Sequence, residues 1–546
     1  MEEISKFPPS VAGVATAIPA FIGVTENCPT KDPVRITSLL DFEKKFGYGP
    51  KLVVSANEAE DDEELTTDVT PEGENSGEEE KETEEENLIE EENSTEVEYS
   101  QEEYEEELDE GNDSEAEPIG DSGEEVIPLR LMRNEGETEF PTYSEDYTLK
   151  GKNFVLYDSI RLFYDNGGGV CYVASIGTYE EFEDSNPEWD THYKPALDSL
   201  RNIDEVTLLL APDAAMLLGD KLKDLQKKML TQCEELGDRF AILDLIEEES
   251  LQTTLSNFRS SVTDHLSYGA AYYPNLISSY SKEIDFESVI IALGGVPKIL
   301  EGIKVEKKKT ELKALFEAID TAIEEDEKKL RIKAIIPQIP GYAEKLAELQ
   351  AEACVIPPSG AIAGIYAAND SSKGVWQAPA NVGIASISGL TRRLSDADQA
   401  DMNVDANTGK SVNAIRYFAG KGILVWGART LDGNSNEWRY VPVRRLFNYI
   451  EESVQKSTAW AVFQPNDANT WVKIQCQIEN FLNNLWRDGA LAGSSPEKAF
   501  YVKVGQDITM TAADILAGYL IVEIGIAAVR PAEFIVLKFS HKLQEA

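Results

Sequence analysis

EVTLLLAPDAAMLLGDKLKDLQKKMLTQCEELGDRFAILDL, running from Glu205 to Leu245, is the stretch whose reading decides the fold. Glu205 to Ala214 is a near-continuous apolar strand, the pattern of a sheet covered by helices on both faces. A helix is predicted from about Ala215 to Leu236, and RFAILDL (Arg239 to Leu245) reads as the next strand. A helix to about Val262 and a strand through YGAAYYPNL (Tyr268 to Leu276) continue the alternation. Strand, helix, strand, helix predicts a parallel sheet with right-handed crossovers. Upstream, FVLYDSIRLFYDNGGG places Tyr157, Ile160 and Tyr164 at helical spacing and ends in Gly167, Gly168 and Gly169. VCYVASI (Val170 to Ile176) is a strand.

Working outward, VAGVATAIPAFIGVTE (Val11 to Glu26) reads as one or two buried strands. SLLDFEKKFG reads as a short helix capped by Ser38 and closed by Gly47. Ser281 to Cys354 is charged and helical, and within it KKKTELKALFEAIDTAIEEDEKKLRIK (Lys307 to Lys333) reads as a surface helix or helical pair. Beyond it, Val443, Leu446, Phe447, Ile450 and Val454 share one helical face. Trp471, Ile474, Ile478, Phe481, Leu482 and Leu485 do the same on a longer helix, with Lys473, Gln477, Asn480, Asn484 and Arg487 opposite. Asn466 or Asp467 can cap that helix. YLIVEIGIAAVRPAEFIVLKFS (Tyr519 to Ser540) holds two β-rich runs, hinged at Pro531.

Charge is concentrated. The 546 residues carry 100 acidic and 50 basic groups, a net charge of −50. Residues 57–147 hold 39 of the acidic groups and three basic ones (Lys81, Arg130, Arg133), a net −36. The other 455 positions hold 61 acidic and 47 basic groups, a net −14. Residues 57 to about 124 are low in complexity and too polar to bury a core, which predicts a disordered, self-repelling insertion. VIPLRLM (Val126 to Met132) reads as a strand on re-entry. Such an acid surplus argues against binding a phosphate backbone or an anionic membrane surface.

Nothing in the pattern calls for catalysis, a cofactor or a metal. The three His (His192, His265, His541) and five Cys (Cys28, Cys171, Cys233, Cys354, Cys476) are scattered, which argues against a zinc site and for a reducing compartment. TGKS (Thr408 to Ser411) lacks the leading glycine of a phosphate loop, since Val404 stands there, and Lys421 is followed by Gly422. The glycines at 167–169 follow a helix and precede a strand, the order of a helix cap. Asp264, His265 and Ser267 are the residue types of a triad, but only geometry makes one. Glu2 and Glu3 stand where a signal peptide is positive, and no run of about 18 apolar residues predicts a spanning helix.

Seven stretches resemble the sheath proteins of contractile phage tails and related injection systems. They are EEISKFPPSVAGVATAIPAFIGVTE (Glu2 to Glu26), RLFYDNGGGVCYVASIG (Arg161 to Gly177), PPSGAIAGIYAANDSSKGVWQAPAN (Pro357 to Asn381), GKGILVWGARTL (Gly420 to Leu431), EWRYVPVRRLFNYIEESVQKSTAWAVFQPND (Glu437 to Asp467), FLNNLWRDGALAG (Phe481 to Gly493) and LIVEIGIAAVRPAEFIVLKF (Leu520 to Phe539). They lie in family order and cover roughly half of the chain, mainly its two ends.

The resemblance implies a non-enzymatic subunit that stacks in rings around an inner tube and collapses into a shorter, wider sheath on a baseplate trigger. Its partners are then itself or sheath paralogues, the tube protein, baseplate and cap proteins, with no nucleic acid and no membrane insertion. Assembly is expected in the cytoplasm, within a phage tail or tail-like particle that some systems release. The implied fold class is multi-domain α/β. Residues 1–50 form an arm and the start of the core, 51–150 the outward-facing acidic insertion, and 151–355 a parallel α/β domain with a helical excursion at about 281–350. Residues 356–546 form an α+β C-terminal core with its arm.

Glu2, Glu3 and Ile4 at one end, and Phe534, Ile535, Val536, Leu537 and Phe539 at the other, are then inter-subunit strands. A free strand with two apolar faces needs a partner. Gly525 and Pro531 are hinge candidates. Arg444, Arg445, Lys473 and Arg487 are candidates to face the tube. The family carries more residues before EEIS than the single Met1 here, which implies either a short N-terminal arm or a trimmed start. A non-contracting adaptor built on the same core is the competing reading.

Overall fold

Strands of two to eight residues, drawn from widely separated parts of the chain, assemble into one mixed sheet in the computed structural model, which describes residues 11–56, 147–183, 185–403 and 405–533. The strands in chain order are β1 (Pro19–Thr25), β2 (Val34–Ile36), β3 (Val53–Ala56), β4 (Tyr147–Lys150), β5 (Cys171–Thr178), β6 (Leu208–Leu210), β7 (Phe240–Leu243) and β8 (Gly269–Tyr273). They continue with β9 (Leu276–Ser278), β10 (Val355–Ile356), β11 (Val382–Gly383), β12 (Ile387–Leu390), β13 (Asn413–Phe418), β14 (Gly422–Val425), β15 (Phe500–Val504) and β16 (Val522–Ile526). Nine of them form one sheet in the order β11-β14-β13-β8-β7-β6-β1-β5-β2.

The six central strands, β13-β8-β7-β6-β1-β5, are parallel, and antiparallel strands flank them on both sides. All seven residues of β1 are buried, as a central strand covered on both faces requires. Its register pairs Ala20 with Tyr172 on one side and with Leu209 on the other. The alternation of side chains sends Ala20, Ile22 and Val24 into one core and Phe21 into the other. The edges are blunt: β2 has three residues and β11 has two, short enough to discourage further pairing.

Helices α1 (Leu39–Phe46), α2 (Leu156–Asp165), α3 (Leu222–Leu236) and α4 (Leu251–Ser261) form as the local signals require. Ser38 accepts from the Asp41 amide and Gly47 closes α1. Ser250 caps α4. On α2 the buried face is Leu156, Ile160 and Phe163 rather than the Tyr157–Tyr164 stripe, because both tyrosines keep their hydroxyls at the periphery.

The charged stretch after Ser281 is helical, and within it Lys307 to Lys333 falls on two consecutive helices, the expected pair. It folds as α5 (Phe286–Ala292), α6 (Gly295–Glu301), α7 (Glu306–Asp320), α8 (Glu325–Ile335) and α9 (Tyr342–Ala353) around a third core. Leu293, Leu312, Phe316, Ile335 and Leu349 fill that core with Leu52, Val54 and Leu149 of the β3–β4 hairpin. Ala56 pairs directly with Tyr147 across this hairpin, so the acidic insertion departs from and returns to adjacent positions. The insertion, including Val126 to Met132, lies outside the described residues.

Helix α10 (Ser359–Lys373) packs on α2 so closely that a Cβ at Gly360 or Gly364 would meet the Ser159 or Phe163 carbonyl at 2.4 Å. The expected border between residues 355 and 356 is therefore not a structural one: β11, β13 and β14 join the central sheet, as does β1 from the N-terminus. Long-range strand pairing overrides the sequence order of the segments. The C-terminal unit proper is α11 (Val441–Thr458), α12 (Ala468–Arg487) and the β15–β16 pair, around Leu446, Ile450, Ile474, Ile478, Phe481 and Leu482. Asp467 caps α12 through the Thr470 amide, while Asn466 instead accepts from the Trp471 indole at 2.6 Å.

Candidate strand-docking site

β15 and β16 pair antiparallel over five residues, from Phe500–Ile526 to Val504–Val522, and form a sheet of only two strands among the described residues. Val502 and Val504 are buried against α12, and Val522, Ile524 and Ile526 pack on the same core. Among the described residues no third strand joins either outer edge, although the Val502 carbonyl of β15 accepts from Gln475 Nε2 at 3.3 Å; both strands are longer than the edge strands of the main sheet.

Beside β16 lies an apolar groove of about 960 Å³. Val522, Ile524 and Ile526 form one wall, and Phe447, Ile450 and Val454 of α11 form the other. Ile474 and Ile478 of α12 lie beneath, and Val462 and Phe463 stand at one end. Phe463 is fully exposed and has a φ of 66°, a conformation that costs a non-glycine residue energy. An extended apolar segment laid beside β16 would complete its hydrogen-bond ladder and cover these side chains at once.

Both chain ends are tied near α11. The Ala12 amide donates to Ser457 Oγ at 3.1 Å and the Val14 amide to Ser453 Oγ at 3.2 Å, while the Thr16 carbonyl accepts from Arg445 at 2.9 Å. The N-terminal segment thus runs along α11 toward the end of that helix. At the other terminus Ala528 bridges to Leu491 and the Val529 amide donates to the Ala490 carbonyl. Glu533 is then gripped by Arg429, with Nε to Oε1 at 2.8 Å and Nη2 to Oε2 at 2.6 Å. Asn403 adds 2.8 Å to Oε1 and Tyr440 adds 3.1 Å to Oε2. Burial opposes ionisation of Glu533, yet the hydrogen bonds from Arg429 and Asn403 hold its pKa below the usual glutamate value.

The basic candidates separate into two pairs. Arg444 and Arg445 are both buried within the chain. Arg445 binds Asp370 at 2.5 and 3.1 Å. Arg444 donates to Asn448 at 2.8 Å, sits 4.1 Å above the Trp438 ring and pairs with Glu451. Neither is free to meet a partner: the apolar spacing of α11 located the helix but not that its polar residues are buried as well. Lys473 and Arg487 are exposed on α12, while Gln477, expected opposite the core, is buried and bonds Trp460 and the Ser457 carbonyl.

Gly525 sits inside β16 opposite Tyr501, whose ring would meet a Cβ there at 2.2 Å, so it admits the tyrosine rather than serving as a free hinge. Pro531 lies between the Val529 pairing and the Glu533 grip. Glu2, Glu3, Ile4, Phe534, Ile535, Val536, Leu537 and Phe539 lie outside the described residues. Reading the sequence missed Glu533 and Arg429; the available signal was a lone carboxylate in an apolar run, RPAEF.

The decoys resolve locally. Lys410 donates its amine to the Arg259 carbonyl and is buried, leaving no phosphate cradle. Asp264 accepts from Thr263, and His265 lies 3.9 Å from Glu234, so no triad forms. Gly167, with φ of 95°, follows α2 as a cap does. Among the described residues no group of three His, Cys, Asp or Glu could hold a metal, and no helix is long and apolar enough to cross a membrane.

Comparison with known proteins defines the class of this unit. Residues 434–542, which include α11, α12, β15 and β16, match the phage tail sheath C-terminal domain family. The tail sheath protein of Vibrio phage KVP40 is 28% identical over 130 residues, 24% of this chain and 19% of that protein. That of Enterobacteria phage T4 is 24% identical over 127 residues, 23% of this chain and 19% of that protein. The match thus spans about a fifth of the length of these curated relatives.

Solved structures extend the likeness to the whole chain. The sheath complex of an extracellular contractile injection system, PVC, in its contracted state is 24% identical, with a TM-score of 0.56, and covers 99% of this chain and 96% of its own. The anti-feeding prophage helical sheath in the contracted state gives 23% identity and a TM-score of 0.56, covering 99% and 98%. The chain is thus similar in fold to these sheath proteins, and its residues 434–542 match the tail sheath C-terminal domain family.

Proposed function

We propose that this chain is the structural subunit of a contractile sheath, in a phage tail or a tail-like injection system. It stacks in rings around an inner tube and contracts to drive that tube through a target envelope. The observation that carries the reading is the open-edged β15–β16 sheet beside an apolar groove, inside the matched C-terminal domain. A strand from a neighbour is the segment that such an edge and groove accommodate. The terminal residues supply it: Glu2, Glu3 and Ile4 from one neighbour, and Phe534 to Phe539 from another. Lys473 and Arg487, exposed on α12, are the groups offered to the tube.

The role is mechanical, and no step of it needs a catalytic residue or a cofactor. Arms joined by backbone hydrogen bonds keep subunits linked while their bodies rotate as rigid units. Better packing after rotation supplies the free energy, so no nucleotide is consumed. A baseplate complex among the structural neighbours supports a baseplate partner that triggers the change. The acidic charge of residues 57–146 serves as a decoration that keeps assembled sheaths apart. The particle assembles in the cytoplasm and is released in some settings.

Deleting Pro531 to Ala546 from the chain expressed with its tube protein tests the arm reading. Loss of ribbed tubes in negative-stain images, with the monomer still folded by circular dichroism, is expected. Unchanged polymerisation contradicts it.

A further inference from the structure

The foot of the C-terminal arm holds a built carboxylate socket. Four side-chain hydrogen bonds from three residues converge on Glu533. The bidentate Arg429 fork belongs to the strongest class of protein hydrogen bond. The socket is rigid because Arg429 is only 4% exposed and is itself held on every side. Its Nη1 donates to the carbonyls of Asn403 at 3.0 Å and Gly433 at 3.2 Å. Its amide donates to Asn413 Oδ1 at 2.8 Å, and its backbone bridges to Tyr440. Glu533, by contrast, is attached to nothing stronger than the end of a strand. Regular pairing stops at Val529, whose amide reaches Ala490 at 3.2 Å. No backbone hydrogen bond to another described residue holds Arg530, Pro531 or Ala532, and Ala532 is exposed.

The chain therefore has two anchors in series, one of backbone at Val529 and one of charge at Glu533, with a short unbonded bridge between them. We propose that the Arg429 socket is a releasable clamp that sets the pivot of the C-terminal arm just after Glu533 and keeps residues 530–533 as slack. With the clamp closed, the chain is fixed through Glu533. With it open, the pivot retreats to residue 530. The four freed Cα steps then add up to roughly 13 Å of reach at about 3.3 Å per residue. Tension along the arm falls first on this ion pair, which re-forms when the load is removed, and only afterwards on β16. This rests on reading residues 534–546 as an inter-subunit arm. It relocates the pivot from Gly525, which is packed under Tyr501, to the two ends of the Arg530–Glu533 bridge.

A nitroxide on Ala532→Cys reads the clamp in the full chain, with Cys28 and Cys476 changed to Ser so that only the new thiol is labelled. In the monomer the label is expected to be immobilised. Glu533→Gln, which keeps the shape and loses the charge, should make it several-fold more mobile. Arg429→Lys, which keeps the charge and loses the fork, should fall between. Equal mobility in the parent and Glu533→Gln overturns the clamp. In sheaths assembled with the tube protein, the label is expected to gain mobility between the extended and contracted lengths; immobilisation at both lengths overturns the slack. A parent chain that forms no sheath refutes the arm reading, while the monomer spectra still decide the clamp.

Discussion

Arg445 shows what a single buried charge does here. Its guanidinium joins α11 to Asp370 of α10 and to the Thr16 carbonyl of the N-terminal segment, and it lies 4.5 Å from the Tyr366 ring. Replacing it by Met removes one partner of a pair whose side chains are 3% and 6% exposed, leaving the Asp370 charge uncompensated. The expected loss is about 3–5 kcal/mol in urea unfolding; a loss below about 1 kcal/mol contradicts the packing described. Asp244 offers a test by pH. Burial pushes its carboxyl up to about 7, against the hydrogen bonds from Ser359. A raised folded pKa stabilises the protonated form. Its contribution is therefore complete below the ordinary aspartate pKa and is lost as pH rises through about 7. The parent should lose melting temperature between about pH 4 and 7 more steeply than Asp244→Asn does. At this scale the sequence was least informative. The pairing of Arg429 with Glu533 and of Arg445 with Asp370 spans 104 and 75 positions, and no local pattern encodes such partners.

Elements were more legible, because their signals are local. The apolar runs at Leu208–Leu210 and Phe240–Leu243, the Ser38 cap and the helical faces of α11 and α12 all follow from periodicity and capping chemistry. Periodicity could not place β1 at the centre of the sheet, nor divide the Lys- and Glu-rich stretch into five helices, since both depend on contacts made after collapse. Two outcomes belong to this scale. Replacing residues 57–146 by Asn-Gly should close the β3–β4 hairpin with a two-residue turn, because Ala56 and Tyr147 already face each other. The melting temperature should then stay within a few degrees of the parent, and a collapse of the fold contradicts a hairpin-tip insertion. Ile524→Glu places a charge in the groove wall, where a half-exposed site tolerates it in the monomer. Stability should change by less than about 1 kcal/mol while co-assembly with the tube protein is lost, as read by sedimentation; retained assembly argues against strand docking beside β16.

For the whole molecule, the net charge of −50 is mostly the property of one insertion, and the body that remains is a mildly acidic α/β subunit. Its main sheet ends in strands of two and three residues, whereas its C-terminal sheet has two strands among the described residues, with an apolar groove alongside. On the function proposed, the first part is finished within the monomer and the second is completed by neighbours. The two β-prone termini were legible in the sequence, but the groove beside β16 became visible only with the packing of α11, α12 and β16. Electron cryo-microscopy of the full chain assembled with its tube protein, before and after triggering, tests this most directly. The account predicts ribbed tubes of two lengths, each with added strands completing the β15–β16 sheet. Rings or tubes in which β16 keeps a bare edge and the groove stays empty would contradict it.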